Sequence, residues 1–207
     1  MAIVLRPERK EDYYEAECLT REAFWRENFD GGETPGCGEH LMLHQLRGSA
    51  GYLPELDLVA VEEASGTLVG NIAYTRVQVE AEDGSRHEML TFGPLSVLPG
   101  CQNQGVGSLL VQGSIERAAA MGYRGLLIFG HPTYYPRFGF QNAADFGITR
   151  ADGTNSDSFM ALELCTGGFD GVHGRYVGNP AYQIRRDELV SFDRLFPAKD
   201  GRHVELT

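Results

Sequence analysis

The chain has 207 residues and a formal net charge of -11, and 42% of its residues are hydrophobic and 23% are charged. This length and composition are typical of a globular domain with an apolar core. The acidic balance argues against nucleic acid as the main partner, because phosphate binding needs a basic surface. The sequence shows neither an apolar run of about eighteen residues nor a basic leader, so we expect no membrane span and a cytoplasmic protein.

The spacing of apolar residues predicts an alternation of strands and helices along the chain. Strands are expected at 3–6, 57–62, 68–79, 86–97, 125–129 and 159–164, with a further strand beginning at Gly139. Helices are expected at 8–25, 39–47, 104–121 and, as a short segment, 132–137. Gly93 and Pro94 interrupt the fourth strand, and because proline cannot donate to a β-ladder we expect a bulge or splay there. This order of elements predicts one α/β domain with a mixed sheet.

The segment from Val97 to Leu110 contains the end of a strand, a polar loop with two glycines and the start of a helix. Such a loop presents backbone N–H groups at a helix N-terminus, where phosphate binds readily. Gly105 and Gly107 have no Cβ, so a phosphate can approach the backbone closely. A P-loop would need a lysine here, and a dinucleotide fingerprint would need a third glycine where Leu110 stands.

The same loop reads Gln102-Asn103-Gln104-Gly105-Val106-Gly107 and follows the strand residues Leu95-Ser96-Val97. A second motif, Tyr135-Pro136-Arg137-Phe138-Gly139-Phe140, follows the fifth strand. Together they resemble the Gln/Arg-x-x-Gly-x-Gly/Ala and Tyr-x-x-x-Gly-Phe signatures of the GCN5-related N-acetyltransferases (GNAT). The resemblance covers roughly residues 2–165. It implies a mixed, mostly antiparallel central sheet flanked by helices, with a domain at 1–166 and a C-terminal extension at 167–207 on the same domain.

The resemblance implies acetyl-CoA as the donor substrate, no metal, and a primary amine of a small molecule or peptide as the acceptor. It implies that donor binding uses Leu95, Val97, Gln102, Asn103, Gln104, Gly105, Val106, Gly107, Ser108, His131 and Arg137. Tyr135 stands where the family has its general acid, and the adjacent Tyr134 is the alternative. The position at which some members have a glutamate base is Thr91 here, so the base stays open between Glu88, His87 and a water chain.

The acceptor is expected between the first helices and the fourth strand, with Phe24, Trp25 and Phe29 as its walls and residues 31–38 as a loop that orders on binding. Residues after 166 could complete the sheet, cover the acceptor or form a homodimer contact. His40 and His44 share one helix face and are interpreted as a surface pair, not a metal site. Two other functions remain open: a CoA-binding sensor without turnover, and a dinucleotide-dependent oxidoreductase.

Overall fold

The computed structural model describes residues 2–29 and 35–205. Its strands are β1 (Ile3–Pro7), β2 (Leu58–Glu62), β3 (Leu68–Glu80), β4 (Arg86–Val97), β5 (Gly125–Phe129), β6 (Gln141–Asn142), β7 (Ile148–Thr149), β8 (Phe159–Glu163) and β9 (Gly174–Val177). They form one sheet in the order β1-β2-β3-β4-β5-β8-β6, with β9 pairing to β3 and β7 to β9. Only β4–β5 and β7–β9 are parallel among the pairs of described strands. The predicted mixed, mostly antiparallel sheet is confirmed.

The helices are α1 (Tyr13–Phe24), α2 (Glu39–Arg47), α3 (Val106–Ala120) and α4 (Arg186–Asp193). The first begins later than predicted, because a 3₁₀ turn at Lys10–Asp12 precedes it. The Asp12 carboxylate accepts a hydrogen bond from the Arg9 amide at 2.8 Å and pairs with Arg6, which fixes this turn. The short helix predicted at 132–137 is a 3₁₀ turn at Tyr135–Phe138.

Strand β4 parts from β5 half-way along its length. The parallel pairing between them is recorded at Leu90 and Leu126, whereas β4 continues to Val97. On its other side, β4 stays paired with β3, with a register shift between Ile72 and Tyr74. The splay predicted around Gly93 is therefore confirmed, and beyond Leu90 the edge of β4 that faces β5 is open.

The two faces of the sheet carry different helices. Consecutive residues of a strand point to opposite faces, and Ile72 of β3 packs with Val106 and Leu110 of α3. The next residue, Ala73, packs instead in a cluster with residues of α1 and α2. The open edge of β4 therefore lies between α3 on one face and the α1–α2 pair on the other.

The chain after residue 166 returns to the sheet and to the helices. In β9, Val177 pairs with Gln78 of β3, and in α4 the buried Asp193 pairs with Arg21 of α1. We propose on this basis that residues 167–207 form one domain with residues 1–166. None of the helices in the described residues has the length and apolar character that a membrane crossing requires.

Candidate active site

Helix α3 begins directly after a loop whose shape depends on Gly105. Gly105 has a φ of +88°, in the left-handed region that residues with a Cβ rarely adopt. The first backbone hydrogen bond of the helix runs from the Leu109 amide to the Gly105 carbonyl at 2.9 Å. The amides of residues 106–108 precede that bond and, as at every helix start, have no acceptor within the helix. This end of α3 therefore offers N–H donors and the positive end of the helix dipole to an anion.

A cleft of about 540 Å³, here called the Gly107 cleft, opens beside this helix end. Its lining residues are Ala23, Phe24, Leu95, Val97, Gln102, Asn103, Gly105, Gly107, Ser108, Tyr134 and Arg137. It therefore brings together most of the residues that the sequence assigns to donor binding. Gln104 and Val106 are not in the lining, because Gln104 donates to the Gly100 carbonyl and Val106 is buried in the core. These two residues can contribute only their backbone amides.

Tyr134 and Arg137 form one wall of the Gly107 cleft. A Cβ at Gly107 would lie 3.2 Å from the Tyr134 hydroxyl, so only glycine leaves this approach open. The guanidinium carbon of Arg137 lies 4.5 Å from the centre of the Tyr134 ring, and its Nε donates to the Tyr134 carbonyl. His131 is elsewhere: it lies in an exposed turn with Nδ1 2.9 Å from the Thr133 hydroxyl, and it does not line the cleft.

Tyr135 occupies the region where β4 and β5 part. Its ring centre lies 5.8 Å from that of Phe92 on β4 and 5.7 Å from that of Phe140. The ring also packs against Gly130, directly after the end of β5, where no Cβ could be accommodated. Burial raises the pKa of Tyr135 to about 12, so its phenol carries a proton at neutral pH. The Tyr134 and Tyr135 rings meet edge-on with centres 5.0 Å apart, and of the two only Tyr134 lines the Gly107 cleft.

A second cavity, of about 450 Å³, spans the same strand gap, and we call it the aromatic pocket. It is lined by Met42, Thr91, Phe92, Gly93, Phe129, Tyr176, Gly178, Asn179, Pro180, Tyr182 and Gln183. Most of its walls come from residues 176–183. The sequence left the role of this region open, because the spacing of its aromatic residues decides nothing without the pairing of β9.

The Tyr182 hydroxyl ties this C-terminal segment to the break in β4. It donates to the Gly93 carbonyl at 3.4 Å and accepts from Thr75 Oγ1 at 3.3 Å. Burial raises the pKa of Tyr176 to about 12, while the nearby Thr91 hydroxyl acts in the opposite direction. Position 91, where the family resemblance places a base, is therefore a buried hydroxyl among tyrosines.

The other two candidate bases on β4, Glu88 and His87, lie near its start, away from the strand gap. Glu88 is about half exposed and lies 3.6 Å from Arg76, with which it forms an ion pair. His87 has its Nε2 3.5 Å from the exposed Ser85 hydroxyl. Neither residue lines the Gly107 cleft or the aromatic pocket. Neither side chain is therefore placed to take a proton from an acceptor in these two cavities, and a water chain is the candidate base that is left.

The residues expected to form the acceptor wall are separated in the structure. Phe24 lines the Gly107 cleft, but Trp25 and Phe29 pack instead against α4 and the chain after it. The Arg21 guanidinium lies 4.4 Å from the Trp25 ring centre, which holds that ring in place. Residues 35–38 are buried, so this part of the predicted loop is packed, and residues 31–34 lie outside the described chain.

The interpretation of His40 and His44 as a surface pair is wrong for His40. His40 is fully buried with Nε2 3.2 Å from an Asp193 carboxylate oxygen, whereas His44 is exposed and contacts Glu17. The i, i+4 spacing cannot reveal this, because the partner of His40 lies on α4. No group of three or more His, Cys, Asp or Glu side chains suited to a metal occurs within residues 2–29 and 35–205.

The region that contains the open edge of β4 and the start of α3 is similar to a known protein family. Residues 19–140 match the acetyltransferase (GNAT) family. The chain belongs to this family. The GNAT match covers the Gly107 cleft and Tyr135 but ends before residues 176–183, which form most of the aromatic pocket.

Two GNAT relatives come from Escherichia coli (strain K12). The uncharacterized N-acetyltransferase YhbS is 32% identical over 137 residues, which are 66% of this chain and 78% of that protein. The uncharacterized N-acetyltransferase YjhQ is 41% identical over 91 residues, which are 44% of this chain and 49% of that protein. The chain thus spans about half the length of YjhQ.

Solved GNAT structures share the fold. Escherichia coli YhbS, crystallised in complex with CoA, aligns with a TM-score of 0.73 and 24% identity over 87% of this chain and 91% of that one. A Brucella melitensis GNAT acetyltransferase in complex with acetyl-CoA aligns with a TM-score of 0.66 and 26% identity over 88% of this chain and 99% of that one.

Proposed function

We propose that this protein transfers an acetyl group from acetyl-CoA to a primary amine by direct attack within a ternary complex. One observation carries the proposal: a single cleft joins the unpaired amides of α3 to the open edge of β4. The first feature suits a pyrophosphate and the second an extended pantetheine arm. The Brucella melitensis neighbour, whose structure holds acetyl-CoA, supports the same donor.

The donor would be held at two ends. The amides from Gln104 to Ser108 would bind the pyrophosphate, helped by the helix dipole. The β4 backbone at Leu95 and Val97 would pair with the pantetheine as an added strand does. The Gln102 side chain donates to the Val97 carbonyl at 3.1 Å, so it competes with the ligand for that acceptor or moves aside. Asn103 and Arg137 line the same cleft and would complete the phosphate site.

Tyr135 is the proposed general acid. As the amine nitrogen bonds to the thioester carbon and the C–S bond breaks, Tyr135 would supply a proton to the leaving sulfur, and the proton that the nitrogen loses on becoming an amide would return to the Tyr135 phenolate. Its ring packs on Phe92 at the strand gap, which suits the sulfur of an extended donor, whereas the hydroxyl of the neighbouring Tyr134 points to Gly107. An amide of Leu95 or Val97 would stabilise the oxyanion, and Pro94 cannot do so because it has no N–H.

A second candidate function is a CoA-binding sensor without turnover. The observation that favours it is Thr91, a buried residue without acid–base chemistry at neutral pH, where some family members have a glutamate. The two functions differ in one property. An enzyme releases free thiol from acetyl-CoA when an amine is added, and a sensor binds the same molecule without that release.

The first test is isothermal titration with acetyl-CoA, CoA and NAD. Gly105→Trp would fill the helix start, and we expect at least about ten-fold weaker CoA binding with no NAD binding in either protein. Gly66→Trp is the matched control, because Gly66 also has a positive φ of +74° and an open Cβ direction but lies in a distant turn. Equal CoA affinity in all three proteins would remove the donor from this loop, and tight NAD binding would revive the oxidoreductase.

A further inference from the structure

The aromatic pocket lies where an acceptor must approach the donor. It takes Thr91 and Gly93 from β4 and Phe129 from the end of β5, so it opens onto the gap between these strands. Thr91 and Leu95 are four residues apart on β4, which is about 13 Å along an extended strand. Leu95 lines the Gly107 cleft. A ligand in the pocket and a donor along β4 would therefore meet at one stretch of strand.

Aromatic rings dominate the walls of this pocket. The Phe129 ring stacks on Phe159 with centres 4.6 Å apart, and Tyr176 meets it edge-on at 5.5 Å. Phe129 remains 51% exposed, so part of its ring is free for a ligand. Rings held in place in this way favour a flat apolar ligand, because stacked and edge-on pairs add to the gain from burial.

Two polar side chains of the pocket, Tyr182 and Asn179, are already engaged with the protein. The Tyr182 hydroxyl contacts the Gly93 carbonyl, as described above. The Asn179 side chain donates to the Ser49 hydroxyl at 3.0 Å and accepts from the Ala181 amide at 2.9 Å. These bonds leave the described lining of the pocket with few free polar side chains and no charged one, the exposed Gln183 amide being the exception among the polar groups. A ligand with several charges would lose its hydration without replacement there.

The described lining of the aromatic pocket has no charged side chain, and this affects which protonation state of an amine it can bind. No Asp, Glu, His, Lys or Arg lines it among the described residues. The guanidinium of the exposed Arg150 lies 6.0 Å from the Phe129 ring centre, and the Glu88 carboxylate lines an adjoining cavity, where it pairs with Arg76. The uncharged lining disfavours an ammonium and favours the neutral amine, because burial without a counter-ion destabilises the charged form. A site that takes up the free amine from solution needs no side-chain base to remove the ammonium proton, and the proton lost as the amide forms would go to the Tyr135 phenolate left after the sulfur is protonated.

We propose that the acceptor is a primary amine on an aromatic body without carboxylate or phosphate, bound as the free base in the aromatic pocket. This inference rests on the proposed function, because it takes the pocket as the acceptor site of the transferase. It also assigns a role to residues 176–183, which lie outside the part of the chain that matches the family.

The test compares amines that differ in one property each. We would titrate 2-phenylethylamine, tryptamine, spermidine and phenylalanine into the protein with and without saturating CoA, and follow thiol release with acetyl-CoA. We expect the two aromatic amines to bind at least about ten-fold tighter than spermidine and phenylalanine. Their apparent affinity should also rise with pH as the free base becomes more abundant. Preference for spermidine, or for phenylalanine through its carboxylate at Arg150, would overturn the inference.

Phe129→Ala tests the pocket itself. Half of the Phe129 ring is exposed to a ligand, and we expect about five-fold weaker binding of 2-phenylethylamine with unchanged CoA affinity. Tyr14→Ala is the matched control, because Tyr14 is 54% exposed and stacks on Phe196 but lines neither cavity. Equal amine affinity in both variants would place the amine elsewhere.

The outcomes separate the two proposals. If CoA binds and a charged amine is acetylated in preference, only the inference about the acceptor fails. If CoA does not bind, the proposed function fails, and the titrations without CoA still report whether the pocket binds aromatic amines. If CoA binds and no aromatic amine binds under either condition, the inference fails whatever the turnover.

Discussion

Arg21 on α1 and Asp193 on α4, which are 172 residues apart in sequence, form a buried bidentate ion pair. Arg21 Nε lies 2.7 Å from Asp193 Oδ1, and Arg21 Nη2 lies 3.1 Å from Asp193 Oδ2. His203 Nδ1 and the Val204 amide also lie within hydrogen-bond distance of Asp193 Oδ2. One carboxylate thus joins α1, α2 through His40, and the chain that follows α4. These contacts of Asp193 attach the C-terminal region, whose residues 176–183 line the aromatic pocket, to the helices α1 and α2.

We expect Asp193→Asn to lower the free energy of unfolding by about 3–5 kcal/mol, because it leaves the Arg21 charge buried without its partner. Urea unfolding followed by circular dichroism would measure the change. Asp187→Asn is the control on the same helix, since Asp187 pairs with Arg185 in solvent and its loss should have little effect. An equal effect of both substitutions would contradict the anchoring role.

The same carboxylate predicts acid sensitivity. Burial acts to raise the pKa of Asp193, but the contacts with His40, Arg21 and the Val204 amide outweigh it and hold the pKa well below its ordinary value. A group of this kind stabilises the fold above its unfolded-state pKa, about 4, and loses that contribution as the pH falls further. We expect the melting temperature to fall between pH 5 and pH 3, and to fall less in Asp193→Asn. If the melting temperature fell equally steeply with pH in both proteins, Asp193 would not be the source of the acid sensitivity.

Glu8 predicts the opposite sensitivity at alkaline pH. Burial and the neighbouring Asp57 carboxylate raise the pKa of Glu8 to about 9, although Arg47 lies within hydrogen-bond distance. The folded state holds this proton more tightly than the unfolded state does. The contribution of Glu8 to the free energy of unfolding is therefore fully present below about pH 4.5 and is lost as the pH rises through about 9.

We therefore expect the melting temperature to decline from pH 7 to pH 10 in the wild type and to decline less in Glu8→Gln, which has no proton to lose at this position. The slope is the readout, since the variant also weakens the contact with Arg47. Glu11→Gln removes an exposed acid three residues further along the chain and should keep the wild-type slope.

Local sequence determines most of the secondary structure but not the contacts between distant elements. The helix at 39–47 and the strand at 86–97 occur where the apolar spacing predicts them, and the loop at Gly105 was recognised from its glycines. The burial of His40 could not be predicted, because the Asp193 carboxylate that compensates it lies on a helix with no strong pattern of its own. The aromatic pocket was missed for the same reason, since it exists only once β9 pairs with β3.

Gly107→Ala should separate binding from stability. Gly107 lies in the first turn of α3, so alanine favours the helix and the melting temperature should be unchanged or higher. The new Cβ would stand 3.2 Å from the Tyr134 hydroxyl and narrow the cleft in front of the helix amides. We expect about ten-fold weaker CoA binding by isothermal titration. Unchanged affinity would show that the donor does not approach the backbone here.

The control for this substitution is a glycine with free space around it. Gly113→Ala is unsuitable, because its Cβ would meet Leu5 at 2.6 Å, whereas Gly100 has an open Cβ direction. Gly100→Ala should therefore leave CoA binding intact.

Tyr135→Phe and Tyr134→Phe form a matched pair that decides which phenol is the acid. Removing the hydroxyl at the strand gap should lower kcat about 100-fold with little change in KM for acetyl-CoA, because the proton for the leaving sulfur is lost. Tyr134→Phe removes a hydroxyl beside Gly107 and should leave kcat near the wild-type value, with an effect confined to donor affinity. Thiol release at saturating amine measures both constants, using whichever amine the wild type turns over fastest. A loss of kcat in Tyr134→Phe alone would assign the acid to Tyr134, and unchanged kcat in both variants would mean that water protonates the sulfur.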